Sequence, residues 1–140
     1  MKLLRAAITL GTVAIMAGSS AFAGTPAPAD AEVYIISPQD GDTVTNPVTI
    51  QFGLKGMGVA PAGVDKPNTG HHHLLIDTDV PSLEVPVPAD ANHRHFGGGQ
   101  TEVTLELPPG KHTLQLLLGD KAHIPHDPPV LSRKITIIVK

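Results

Sequence analysis

Glu102-Val103-Thr104-Leu105-Glu106-Leu107-Pro108-Pro109-Gly110-Lys111-His112-Thr113-Leu114-Gln115-Leu116-Leu117-Leu118 is the stretch that decides the fold class. Val103, Leu105 and Leu107 alternate with Glu102, Thr104 and Glu106, and His112, Leu114, Leu116 and Leu118 recur with the same period of two. Successive side chains of a strand point to opposite faces, so each run presents one face to a core. Pro108-Pro109-Gly110 separates the two runs with turn chemistry.

The same pattern extends outward in both directions. Upstream, Val48, Ile50, Phe52 and Leu54 alternate with Thr49, Gln51 and Gly53, and Val33-Tyr34-Ile35-Ile36 is composed of strand formers. His71 to Asp77 forms a further candidate strand centred on Leu74-Leu75-Ile76. Downstream, Ser132 to Val139 places Ile135, Ile137 and Val139 on one face. No segment after residue 23 shows a helical period of 3.6, and 14 prolines with 14 glycines in the whole chain oppose helices. Six strands with Gly/Pro turns predict an all-β domain over residues 32–140, an immunoglobulin-like antiparallel β-sandwich. Two connections are long, Lys55 to Gly70 and Thr78 to Gln100. The second contains Leu83-Glu84-Val85-Pro86-Val87, expected as a short edge strand, where proline is tolerated.

The N-terminal 23 residues read as a removable secretory signal. Lys2 and Arg5 precede an apolar stretch from Ala6 to Ala17, and Ala21-Phe22-Ala23 gives an A-x-A cleavage pattern. The apolar stretch falls short of the roughly 20 residues a membrane span needs. Gly24 to Ala31, with Pro26 and Pro28 among small residues, is expected to be a flexible linker. Cleavage after Ala23 leaves 117 residues, room for one domain, with no second apolar span to hold the product in a membrane. Losing Lys2 and Arg5 leaves 8 basic against 13 acidic residues, a net charge of −5. That balance argues against nucleic acid or an anionic membrane surface as a partner. The chain has no cysteine, which rules out disulfides, thiolate metal sites and cysteine nucleophiles. Tyr34, Phe52 and Phe96 are the only aromatics beyond residue 23, too few for base- or sugar-stacking platforms.

The distinctive feature is histidine. All 8 lie beyond residue 23, as His71-His72-His73, His93-x-His95, His112 and His123-x-x-His126. Imidazole is the commonest metal ligand, because a neutral ring keeps a free lone pair near neutral pH. In the immunoglobulin strand order the fifth strand (Lys111 to Leu118) runs antiparallel to the third and fourth. The starts of those two strands therefore lie at the end where the fifth finishes. His71 to His73 begin the third strand, His93 and His95 precede the fourth, and His123 and His126 follow the fifth. Three histidine groups are thereby expected at one end of the domain, and His112 at the other. His71, His73, His93, His95, His123 and His126 are the candidate metal ligands. His72 shares a face with Leu74 and Ile76 and reads as a buried, hydrogen-bonded imidazole. His112, in register with Leu114 and Leu116, reads as structural.

The remaining motifs are bland. Gly97-Gly98-Gly99 is not followed by a helix and is no phosphate loop, and His123-x-x-His126 lacks the glutamate and helix of a zinc-protease motif. No nucleophile signature is present. Asp77 and Asp79 fit a solvated or turn-forming role.

Gly70-His71-His72-His73-Leu74-Leu75-Ile76-Asp77, His95-Phe96-Gly97-Gly98-Gly99-Gln100-Thr101-Glu102 and Leu118-Gly119-Asp120-x-x-His123-x-Pro125-His126-Asp127-Pro128-Pro129 resemble a family of small exported bacterial proteins catalogued as domain of unknown function 4399. The resemblance spans nearly the whole chain beyond the signal. It implies a periplasmic or secreted setting and brings no activity with it.

Three functional readings follow from the residues. The first is an exported binder of a divalent transition metal, copper(II) or zinc. Intrinsic affinity favours copper(II) over zinc, and Met57 alone beyond residue 23 argues against a methionine-rich copper(I) site. Gly24 as the processed start excludes a brace built on an N-terminal histidine. The second is a non-metal adhesion or envelope-interaction module whose histidines bond loop backbones. The third, a metal-dependent hydrolase or oxidase with Asp77, Asp120 or Asp127 orienting the rings, finds no substrate-pocket signature in support. No particular protein partner is indicated.

Overall fold

The computed structural model describes residues 24–140, so the signal expected over residues 1–23 lies outside the described residues. The described residues form strands and no helix: β1 (Glu32–Ser37), β2 (Thr43–Val44), β3 (Val48–Lys55), β4 (Gly58–Val59), β5 (Thr69–Ile76), β6 (His93–His95), β7 (Glu102–Leu105), β8 (Gly110–Gly119) and β9 (Ile135–Val139). The six strands expected from alternation are β1, β3, β5, β7, β8 and β9. The short β2, β4 and β6 lack the length for a periodic signal.

Two sheets form. The smaller has the order β1-β3-β7 and is antiparallel, with Val33 opposite Leu54 and Val48 opposite Leu105. The larger has the order β2-β9-β8-β5-β4, with β6 also pairing along β5. Its central ladders are antiparallel, while β2–β9 and β4–β5 are parallel. Alternation turns one face of each sheet toward a shared core: Ile50 and Phe52 from β3 meet Leu74 from β5, Leu114 and Leu116 from β8 and Ile137 from β9. Full burial of each such side chain contributes about 1.5–3 kcal/mol, so this core carries most of the stability.

Leu83–Val87, expected as an edge strand, forms no strand. Pro81, Pro86 and Pro88 remove amide donors that a ladder needs. The connection instead lies on the larger sheet's outer side, where the Val87 amide donates to the His123 carbonyl at 2.9 Å. Leu75, Leu117 and Val87 are buried yet stand apart from the main core. The larger sheet is therefore covered on both faces around β5.

Residues 24–31, expected as a linker, are tied to the loop after β8. Asp127 N–H donates to the Thr25 carbonyl (3.0 Å), Ala27 N–H to the Asp127 carbonyl (3.2 Å), and Thr25 Oγ1 to Asp120 Oδ2 (2.7 Å). A Cβ on Gly24 would meet the Pro125 carbonyl at 2.5 Å, so this approach requires glycine.

Candidate metal centre

Strand periodicity builds the site. On β5, His71 and His73 are two residues apart and share the face turned away from the main core, whereas His72 and Leu74 face inward. The antiparallel register of β5 with β6 sets His95 directly opposite His73, a cross-strand pair on that outer face. On the other side of β5, His71 is opposite Gly119, the last residue of β8. A Cβ on Gly119 would lie 2.5 Å from His73 Cε1, so the missing side chain makes room for the ring. Gly97 has the same function at the opposite edge, where a Cβ would collide with His95 Nε2. Beyond Gly119 the chain turns back, and His123, at φ 65°, brings its ring over the pair on β5.

His71, His73, His95 and His123 each offer one ring nitrogen, and the four atoms lie within 4.8 Å of one another. His71 Nε2 and His123 Nδ1 are 2.9 Å apart. Ring centroids run from 4.3 Å for His95–His123 to 5.9 Å for His73–His123. Donors on one ion with bonds near 2.0–2.1 Å span about 3–4 Å, so the widest pair of the set must close by roughly 1–2 Å to enclose an ion. His71 and His73 are fully buried, His123 is half-buried and His95 is exposed, which leaves one open side.

Burial and mutual repulsion favour the neutral form of His71, His73 and His95. Burial is the main reason that the His71 pKa falls from 6.5 to about 4, with His123 and His95 adding repulsion and Asp120 opposing it. Burial likewise brings His73 down to about 3, helped by His71, His95 and His123 and weakly opposed by the Leu117 backbone. His95 is lowered by burial and by His123. A neutral imidazole is the form that binds metal. His71 Nδ1 and both nitrogens of His73 are buried without a hydrogen-bond partner. Each such buried atom costs about 1–3 kcal/mol, a cost that coordination removes wherever the atom becomes a ligand.

The four are drawn from three histidine groups expected to converge. His93 and His126 were expected with them and stand elsewhere. His93 shares the outer face with His95, but two residues along a strand is about 6.6 Å, which places it opposite Leu75. There its Nδ1 pairs with Asp90 at 2.8 Å. His126 is buried with Nε2 3.1 Å from the Thr69 carbonyl and its ring against Gly70, the residue preceding His71 and on the opposite face.

A family model described as domain of unknown function (DUF4399) matches residues 50–140. The chain belongs to this family. The family region contains all four clustered histidines and the glycines that accommodate their rings, while β1 and the segment from Gly24 to Ala31 precede it. Comparisons with curated proteins and with solved structures gave no match.

His112 and His72 complete the inventory. His112 occupies the opposite end of β8, its Nδ1 2.6 Å from Asp77 Oδ2 and its Nε2 2.7 Å from the Pro108 carbonyl. Both partners accept only, so both ring nitrogens donate and the imidazolium satisfies the site. Burial opposes that charge, but the Asp77 carboxylate and the Pro108 carbonyl outweigh it and the pKa is raised. His72 is buried against Phe52, with ring centroids 5.2 Å apart. It was expected to be hydrogen-bonded, yet neither ring nitrogen meets a partner in good hydrogen-bonding geometry, and the Gln100 backbone only weakly offsets the effect of burial on its pKa. Sequence reading missed Gly97 and Gly119 as parts of the site; glycine beside His95 and before the turn to His123 was the available signal.

Proposed function

We propose that this chain is an exported protein that binds one divalent transition metal through His71, His73, His95 and His123, copper(II) in preference to zinc. The observation that carries the reading is the convergence of four ring nitrogens, two of the rings fully buried and three of those two rings' four nitrogens without a hydrogen-bond partner. Imidazole donors suit copper and zinc, and the Irving–Williams order ranks copper(II) higher at a site of given geometry. The open side at His95 gives an ion a path in and out, as buffering or delivery of metal requires. Export rests on the signal read in residues 1–23; a periplasmic or secreted location fits the metal role. The sheet orders β1-β3-β7 and β9-β8-β5 support an immunoglobulin-like sandwich as the fold.

Calorimetric titration of the purified protein with copper(II) and with zinc tests this. One equivalent should bind, copper(II) more tightly, and a variant with His71 and His73 both replaced by alanine should lose the site. Equal binding by that variant would refute the assignment. Folding indifferent to metal and to chelator would instead favour the non-metal interaction module.

A further inference from the structure

We propose that Asp120, latched by Thr25, is the positioning residue that holds His123 in place as the fourth donor; this rests on the metal-binding reading above. Asp120 is buried, at 5% exposure, and both carboxylate oxygens are committed. Oδ1 accepts the Ala122 amide (2.8 Å) and the Ile124 amide (3.1 Å), the residues on either side of His123, and Oδ2 accepts the Thr25 hydroxyl (2.7 Å). The Asp120 backbone closes the same loop, its amide donating to the Ile124 carbonyl and its carbonyl accepting the His123 amide, both at 2.9 Å. His123 sits at φ 65°, a region that residues other than glycine rarely adopt, so its ring direction depends on this loop being over-determined.

With its oxygens so engaged, Asp120 acts on the centre chiefly through the backbone around His123, its charge reaching His71 only as one of the smaller influences on that ring. Thr25 adds a partner distant in sequence. Through it and the Thr25–Asp127 and Ala27–Asp127 backbone bonds, the segment entering the domain is fastened beneath the donor loop. Docking of this strap and capture of the ion therefore favour the same loop conformation, and linkage makes each strengthen the other.

The test is a double-mutant cycle in the purified protein, read by copper(II) affinity and by the electron paramagnetic resonance spectrum of the loaded form. Asp120→Ala should weaken binding about 10- to 100-fold, the usual effect of removing an outer-shell partner. Thr25→Val should weaken it about fivefold, the worth of one hydrogen bond. In a His123→Ala background neither change should cost affinity beyond twofold, and the D120A spectrum should match that of H123A. Equal losses in both backgrounds, or a wild-type spectrum in D120A, would overturn the positioning role while leaving the metal site standing. Wild-type affinity in H123A itself would strike His123 from the donor set, and this proposal with it. If D120A does not fold, the T25V cycle decides the matter by the same criteria.

Discussion

Replacing His72 with leucine should stabilise the metal-free protein. The ring is fully buried and packs against Phe52, and neither nitrogen meets a partner in good hydrogen-bonding geometry, the Gln100 backbone being its one weak polar neighbour. Leaving such polar groups unpaired costs about 1–3 kcal/mol, while an apolar side chain of similar volume retains the packing against Phe52. The gain at pH 7.5 should therefore be about 1–3 kcal/mol, several degrees in melting temperature. It should grow in acid. Burial holds the folded pKa of His72 near 4 against an ordinary 6.5, so the unfolded chain takes up the proton first. Stability is complete above pH 6.5 and drains away as the pH falls toward 4; at pH 5.5 this one ring costs about 1.4 kcal/mol. Leucine removes that cost. Urea unfolding in chelator at pH 7.5 and 5.5 measures both parts. Any net loss of stability at pH 7.5 would refute the reasoning, as would an unchanged pH slope.

Other outcomes follow from the same geometry. Metal-free wild-type protein should be acid-labile between pH 6.5 and 5, because His71, His72 and His73 all titrate below the ordinary value for burial reasons and each adds about 1.4 kcal/mol of loss by pH 5.5; circular dichroism at graded pH checks this. Saturating copper(II) at 100 times its dissociation constant should raise stability by about 2.7 kcal/mol at pH 7.5, seen as a higher melting temperature. His95→Ala should abolish tight binding whereas His93→Ala should leave it within twofold, since His93 faces Asp90. Asp77→Asn should destabilise most below pH 6.5 and progressively less as the pH rises through the elevated His112 pKa, where the charge that Asp77 stabilises is gone.

The strand framework was legible because alternation is a local property. Val103 to Leu107 and Leu114 to Leu118 carry their burial pattern in the chain itself. The convergence of histidines was legible only through topology, since antiparallel order brings the start of β5 beside the finish of β8. Sequence could not separate His95 from His93: His-x-His puts both rings on one face whatever the register, and only the pairing of His95 with His73 decides which ring meets the cluster. His126 was misplaced because the chain after His123 carries it past Gly70 to the other face. The segment from Thr25 to Ala27 read as linker because its ties to Asp120 and Asp127 are backbone and hydroxyl bonds to a loop about a hundred residues away, for which composition has no signature.

The most direct measurement is nuclear magnetic resonance of the imidazole nitrogens in protein labelled with nitrogen-15 histidine, followed as zinc, which is diamagnetic, is added to one equivalent. Direct-coordination shifts should appear at His71, His73, His95 and His123, with His72, His93, His112 and His126 showing none. Coordination at His93 or His126 in place of these, or zinc that leaves all eight rings unmoved, would contradict a four-imidazole centre on the outer face of β5.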